Sequence, residues 1–465
     1  MSNKTIKKTT FEPQMKVHFI AIGGSAMHNL AIALQNNGHE VTGSDDEVFE
    51  PSKSRLSQKG LLPEKEGWFP EKITTELDAI ILGMHAKPAN PELLKAQEIG
   101  VKIYSYPEFL YEQSKDKIRV VIGGSHGKTT ITAMVMHVLK DNGHPFDYLV
   151  GSKLKGFDVM VNISDEAMLM IFEGDEYLSS PIDRRPKFHW YKPNIALLSG
   201  IAWDHINVFP TKNVYNEQFS IFIDLMQKGG TIVYNEEDAG LKVLVERARD
   251  DVVKIPYGVP EFKIVDGITE LITGNGTVQL KIFGKHNLMN LNGARLVCKS
   301  LGIDETQFYS SITTFEGASN RLELLKVSGE NRVYKDFAHA PSKVKATIEA
   351  VKEQFPLHQF VACLELHTFS SLNQRFIDQY FGSFDMVDRG CVYYNPHALA
   401  MKRLPDLDQE DVRKAFGNEN LAIFADSIKM KEWLMEDQQN KTVYLLMSSG
   451  NFDGIDLNEL AEQLI

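Results

Sequence analysis

Cysteine is scarce in this chain of 465 residues. Cys298, Cys363 and Cys391 are far apart and have no metal-site spacing, which excludes a disulfide framework and points to core thiols in a reducing compartment. No apolar run approaches the roughly 18–20 residues that a membrane span needs. The opening Met1-Ser2-Asn3-Lys4-Thr5-Ile6-Lys7-Lys8 lacks the apolar stretch of a secretory signal. A cytoplasmic location without a membrane partner is therefore expected. Positive charge is also in deficit: 50 Lys and Arg stand against 62 Asp and Glu, a net charge of −12. That balance opposes loose attraction to nucleic acid, yet leaves room for a local basic cleft around a phosphorylated ligand. Short repeats and low-complexity segments are absent too, which excludes solenoid and disordered-tail architectures.

What is present is a series of buried-strand patterns alternating with helical ones, on a chain long enough for two to four domains. Lys16–Ile22 reads as a strand, followed by a Gly-rich turn, a helix over Met27–Asn37 and a second strand at Val41–Asp45. Strands at Ala79–Gly83 and Val101–Tyr104 flank a helix after Asn90-Pro91, giving a small parallel α/β domain. The pattern restarts at Ile118–Gly123 and continues through Met168–Phe172, Ile195–Leu198 and Thr231–Tyr234. Thr273-Gly274-Asn275-Gly276-Thr277 supplies the chemistry of an antiparallel hairpin. From about Arg321 a further α/β set follows, with strands near 331–337, 359–366, 386–394 and 442–447. The expected fold class is α/β with three domains, over residues 1–112, 113–318 and 319–465.

The clearest chemical signal is Gly124-Ser125-His126-Gly127-Lys128-Thr129-Thr130 at the end of a predicted strand. Backbone N–H groups and a lysine in such a loop surround phosphate oxygens, and a hydroxyl reaches a magnesium ion. Ile122 stands where the first glycine of the usual loop would fall. Glu173 ends another apolar strand and can bring a carboxylate to the same magnesium, while His205 follows the strand Ile195–Leu198. The turn Gly23-Gly24-Ser25-Ala26-Met27, with Asp45 ending the next strand, suits a nucleotide diphosphate on a helix N-terminus. On that turn alone a dehydrogenase is an alternative, and on the Lys128 loop alone a non-ligase P-loop ATPase is another.

Taken in order, these motifs resemble the Mur ligase family of ATP-dependent amide ligases. Gly284-Lys285-His286-Asn287-Leu288-Met289-Asn290, Asn320-Arg321, Asp336-Phe337-Ala338-His339-Ala340-Pro341 and Met447-Ser448-Ser449-Gly450 extend the likeness over nearly the whole chain. The resemblance implies a Rossmann-like UDP-sugar domain, a P-loop ATPase-like domain and a Rossmann-like C-terminal domain for the amine. It also implies ATP and Mg2+, with UDP-N-acetylmuramate and an amino acid or peptide as substrates. His126 and Asp183-Arg184-Arg185-Pro186-Lys187-Phe188-His189, with Asp175-Glu176-Tyr177, resemble the branch that acts on UDP-N-acetylmuramate itself. They favour addition of a whole tripeptide over free L-alanine. Folate polyglutamylation, in the same superfamily, lacks the UDP-sugar domain. Where many family members carry a carbamoylated lysine this chain has Phe219, so a carbamate is not expected.

By the same resemblance Lys128 holds the β- and γ-phosphates, and Thr129, Glu173 and His205 take metal. Arg321 faces the phosphoryl charge, Asn287 and Asn290 meet adenine, Asp336 the ribose, and His339 the catalytic cleft. His85 and Lys87 are expected near the UDP-sugar. Three departures stand out: Trp203 precedes Asp204-His205, Ala340 replaces the second histidine of the usual motif, and Glu365-Leu366-His367-Thr368 differs from the relatives' Glu-Pro-Arg-Ser segment.

Overall fold

The computed structural model describes residues 14–203, 208–318, 321–436 and 438–465. The chain packs as two compact units: one runs to Thr132 and resumes over Gly143–Pro256, and the other comprises Ala133–Asn142 and Tyr257–Ile465.

In the first unit, β1 (Lys16–Ile20), β2 (Glu40–Ser44), β3 (Ala79–Leu82) and β4 (Ile103–Ser105) form a parallel sheet in the order β2-β1-β3-β4. The two central strands, β1 and β3, read as near-continuous apolar runs because the middle of a parallel sheet is covered on both faces, whereas the edge strands β2 and β4 are more polar. The exception, His18 in β1, is fully buried and has partners on both ring nitrogens: Thr42 Oγ1 at 2.8 Å and Glu92 Oε2 at 3.3 Å. The helix Pro91–Ile99 starts as the sequence suggests, with the Asn90 side chain accepting from the N–H groups of Glu92 and Leu93 and proline in the first turn. The expected domain boundary after residue 112 falls inside the helix Tyr106–Ser114, which begins with a Ser105–Glu108 capping box.

The larger sheet of this unit contains β5 (Ile118–Gly123), β6 (Asp147–Leu149), β7 (Val161–Asn162), β8 (Leu169–Glu173), β9 (Ile195–Leu198), β10 (Thr231–Asn235) and β11 (Val253–Tyr257). Its order is β11-β10-β9-β5-β8-β6-β7. β5 lies between β8 and β9, all parallel, with Ile122 opposite Glu173 and Gly123 opposite Leu198. The carboxyl ends of three strands therefore meet at one place, where doubly wound sheets bind ligands.

The second unit has a three-stranded antiparallel sheet of β12 (Phe262–Val265), β13 (Ile268–Thr273) and β14 (Gly276–Leu280). The turn read in the sequence closes it, with Thr273 opposite Gly276. A six-stranded sheet follows: β15 (Glu323–Ser328), β16 (Asn331–Asp336), β17 (Gln359–Leu366), β18 (Arg389–Tyr394), β19 (Ala422–Phe424) and β20 (Thr442–Met447). Its order is β15-β16-β20-β17-β18-β19, parallel apart from the antiparallel edge pair β15–β16.

Candidate active site

The loop after β5 bends because Gly124 (φ 116°) and Gly127 (φ 76°) take left-handed backbone conformations. A β-carbon on Gly124 would also lie 2.8 Å from Ser199 N and 2.9 Å from Gly200 O, so only glycine fits between β5 and the segment leaving β9. Ser125 N donates to Gly200 O (2.9 Å), and Ser125 Oγ accepts from Ala202 N (3.0 Å). His126 Nδ1 lies 3.0 Å from Ser125 Oγ, and Ser199 Oγ donates to His126 O. The loop is thus fastened to the end of β9 on its outer side, and the helix Lys128–Asp141 leaves from its inner side. Thr130 is buried in the first turn of that helix.

Lys128 Nζ donates to Gly124 O (2.7 Å) and to Glu176 Oε2 (2.8 Å). Burial disfavours the ammonium, but the Glu176 carboxylate, with Asp175 and Glu173 behind it, outweighs burial and pushes Lys128 above the ordinary lysine range. Thr129 Oγ1 donates to Glu173 Oε1 (2.6 Å), and Glu173 Oε2 accepts from Gly151 N (2.8 Å). The structure therefore brings Gly124–Thr130 and Glu173 together as expected. His205 lies outside the described residues, as do Asp204 and Asn320. Trp203 is partly exposed and donates through Nε1 to Phe209 O (2.9 Å).

Phe219 is fully buried on the helix Lys212–Asp224, edge-on to Phe188 and Tyr215 with ring centroids 5.4 and 5.1 Å away. Its role is packing. Tyr215, one turn earlier, sends its hydroxyl to Glu176 Oε1 (3.1 Å). Neither Glu176 nor Tyr215 was singled out as a functional residue by sequence reasoning, because their contact spans 39 positions and leaves no local pattern.

In the N-terminal turn, Gly23 N donates to Asp45 Oδ2 (2.7 Å), and Asp46 N donates to Asp45 Oδ1 (3.0 Å). Burial raises the Asp45 carboxyl to about 6, with the neighbouring Asp46 adding to the effect. Gly24 precedes the helix Ser25–Asn36, in which Ser25 is exposed, Ala26 half-buried and Met27 buried. His28 fixes this turn: its Nδ1 lies 2.9 Å from Gly24 O, and its Nε2 accepts from Arg55 (3.2 Å) and from Asn29 Nδ2 (3.1 Å). His85 and Lys87 are exposed beyond β3. The segment Val150–Met160 joins this turn to the Glu173 carboxylate. Val150 N donates to Met160 O (2.9 Å), Gly151 holds Glu173, and Met160 N donates to Asn29 Oδ1 (3.3 Å).

In the second unit Asn287 and Asn290 share one face of the helix Lys285–Ser300, and both are buried. Asn287 Nδ2 donates to Phe283 O (3.0 Å), whereas the Asn290 amide makes no hydrogen bond to the described residues. Burial lowers the neighbouring His286 to about 4. Arg321 lies over the Phe337 ring at 4.5 Å. Asp336, ending β16, accepts from Leu322 N (2.5 Å) through one oxygen and Ala338 N (2.7 Å) through the other. Burial pushes its carboxyl up against the pull of those two amides and of Arg321. His339 Nδ1 lies 2.8 Å from Phe337 O. Sequence reasoning noted Glu365 only as a departure, yet it is a buried brace. One oxygen accepts from Ser448 Oγ and from Phe452 N (2.8 Å), and His367 Nδ1 is 3.6 Å from the other.

Among the described residues no helix is long and apolar enough to cross a membrane. The Mur ligase family catalytic-domain model matches residues 16–117, and the Mur ligase middle-domain model matches residues 122–298. The chain is 28% identical over 380 residues to UDP-N-acetylmuramate--L-alanine ligase of Sulfurihydrogenibium sp. (strain YO3AOP1), covering 80% of this chain and 81% of that one. It is 27% identical over 353 residues to UDP-N-acetylmuramate--L-alanyl-gamma-D-glutamyl-meso-2,6-diaminoheptandioate ligase of Escherichia coli (strain K12), covering 73% and 76%. Its fold is similar to that of UDP-N-acetylmuramate-alanine ligase from Thermotoga maritima, with a TM-score of 0.69 at 20% identity over 97% of this chain and 98% of the other. With both family models placed in order on the glycine turn and the Lys128 loop, the chain belongs to the Mur ligase family of ATP-dependent, ADP-forming ligases.

Proposed function

We propose that this ligase joins the lactyl carboxylate of UDP-N-acetylmuramate to the amine of the tripeptide L-alanyl-γ-D-glutamyl-meso-diaminopimelate. The observation that carries this reading is a single loop. Lys187 Nζ binds Asp175 Oδ2 (2.6 Å), Lys187 N donates to Tyr177 O (2.8 Å), and Ser179 N donates to Arg185 O (2.9 Å). The two stretches that resemble the tripeptide-adding branch, 175–177 and 183–189, thus form one structure, and Glu176 ties it to Lys128. Burial works against an ionised Asp175, but Lys187, with Lys128 behind it, outweighs burial and holds Asp175 below the usual carboxylate range.

In this reading ATP phosphorylates the lactyl carboxylate, and the amine attacks the acyl phosphate and expels phosphate. Two anions must approach in the first step, so the demand on the site is electrostatic. Lys128 offsets phosphate charge, and the loop amides around Gly127 cradle the oxygens. Thr129 Oγ1 and Glu173 Oε1, 2.6 Å apart, are the hard oxygen donors that one magnesium ion takes, and His205 with Glu173 is proposed for a second. These ions would neutralise phosphate charge. Arg321 serves the phosphoryl oxygens, Asn290 and Asn287 the adenine, Asp336 the ribose and its surrounding loops, and His339 the cleft. Gly23 to Met27, with Asp45 and His85, serve the UDP-sugar. Residues 1–112, 113–318 and 319–465 are proposed as the UDP-sugar, ATP and acceptor domains. A cytoplasmic setting follows from these substrates.

The alternative acceptor is free L-alanine, favoured by the likeness to the Sulfurihydrogenibium enzyme. One assay decides. Purified protein with ATP, magnesium and UDP-N-acetylmuramate is offered L-alanine or the tripeptide, and the products are read by mass. The tripeptide adduct is expected to predominate; preference for L-alanine overturns the acceptor assignment. ATP hydrolysis indifferent to UDP-N-acetylmuramate, with no amide formed, overturns the whole reading.

A further inference from the structure

The strongest polar arrangement to which the proposed reaction gives no part is the Tyr215–Glu176 pair that meets Lys128. Glu176 is 1% exposed and Tyr215 fully buried. Both carboxylate oxygens are engaged: Oε1 accepts from the Tyr215 hydroxyl at 3.1 Å, and Oε2 from Lys128 Nζ at 2.8 Å. An ammonium has three N–H groups. Two of those on Lys128 are committed, to Glu176 and to its own loop at Gly124 O (2.7 Å), and these fix the direction of the third. Two further carboxylates, Asp175 and Glu173, stand near, but each is occupied: Asp175 by Lys187 and Glu173 by Thr129 and Gly151. Glu176 is the carboxylate that restrains the lysine.

We propose that Glu176, held by the Tyr215 hydroxyl, is a positioning residue that sets the aim of the Lys128 ammonium at the phosphoryl group and competes with ATP for its charge. The two effects have opposite consequences. A carboxylate beside a polyphosphate site repels the bound nucleotide and draws on the lysine, so it weakens ATP binding in the ground state. The same restraint keeps the ammonium where charge develops during transfer, which lowers the barrier. A carboxylate retained only for packing would show neither effect.

The inference rests on ATP use and not on the choice of acceptor. The test is Glu176→Gln in the full chain, with ATP affinity measured directly by equilibrium binding and kcat measured by ADP release during ligation. The expected result is a split: the Kd for ATP falls by about 5-fold while kcat falls by about 10-fold or more. Tyr215→Phe, which removes one hydroxyl from the same carboxylate, should move both quantities in the same directions by less. Glu176→Asp keeps the charge on a shorter side chain and should return the Kd for ATP toward the parent value while kcat stays low. Unchanged or weaker ATP binding in Glu176→Gln overturns the proposal. Should that variant fail to fold, unchanged ATP binding in Tyr215→Phe overturns it. The ATP arm needs neither UDP-sugar nor amine, so a failure of the ligase reading shows separately, as absence of amide product in the parent protein.

Discussion

The carboxyl ends of β5 and β8 in the first unit and of β16, β17 and β20 in the second are the same kind of place, yet they are furnished differently. At the first, Lys128 sends two N–H groups to Gly124 O and Glu176 and has no third hydrogen bond among the described residues, and Thr129 and Glu173 satisfy each other side chain to side chain. At the second, both Asp336 oxygens accept from backbone amides, and one Glu365 oxygen accepts from a serine hydroxyl and a backbone amide. Charge in the first region is arranged for exchange with a ligand. In the second it braces loops, with Asp336 holding the segment at Leu322 and Ala338 and Glu365 holding the one at Ser448 and Phe452.

This contrast is broken most directly at Lys128. Lys128→Ala should reduce ligation by at least ~10³-fold while UDP-N-acetylmuramate binding, measured by calorimetry, stays near the parent value. Normal turnover in the folded variant would remove the phosphate loop from the reaction. Gly124→Ala tests whether the loop's shape depends on glycine. The positive φ and the approach to Ser199 and Gly200 predict a loss of about 2–4 kcal/mol in denaturant unfolding, together with weaker ATP binding.

Glu365→Gln sharpens the comparison from the other side. A loss of about 1–2 kcal/mol is expected as the Ser448 and Phe452 contacts are degraded, with the amine's KM raised and ATP binding unchanged. A change in ATP affinity instead would mean that the brace serves the nucleotide. A change of similar size and opposite sign is expected in the N-terminal turn. The Asp45 carboxyl is raised from 3.8 to about 6 in the fold, so at neutral pH its ionised form costs stability, and that cost disappears as pH falls through 6 toward the unfolded value. Asp45→Asn should therefore stabilise the protein by about 1–2 kcal/mol at pH 7.5, with the gain vanishing near pH 4. Thermal midpoints across that range would show it.

Much of the first region was legible because its determinants are local. Gly124 to Thr130 lie in one turn, Glu173 ends its own apolar run, and Asn90-Pro91 and Thr273–Thr277 mark a helix start and a hairpin by their own chemistry. The short strands β6, β7 and β19 and the half-exposed edge strand β15 were not legible, since burial patterns of two or three residues, or strands with solvent on one side, carry little periodicity. The second region was hard to read for a different reason. Glu365 meets Ser448 and Phe452 across more than 80 positions, so no window of sequence contains both partners, and the same distance in sequence hid the Glu176–Tyr215 contact, 39 positions apart, within the first region. His28 was passed over because a histidine inside an apolar helix looks the same whether or not Arg55 donates to it.

The segment from Val150 to Met160 is fastened at one end to Glu173 and at the other to Asn29, on the helix that leaves the glycine turn. A cation drawn onto Glu173 and a diphosphate seated at that turn, if both bind as proposed, would act on the same stretch of backbone. Ligands that share a restraint are thermodynamically linked, and linkage is reciprocal: the factor by which one changes the other's affinity applies equally in return. The coupling between them would then have a single value, whichever of the two ligands is varied.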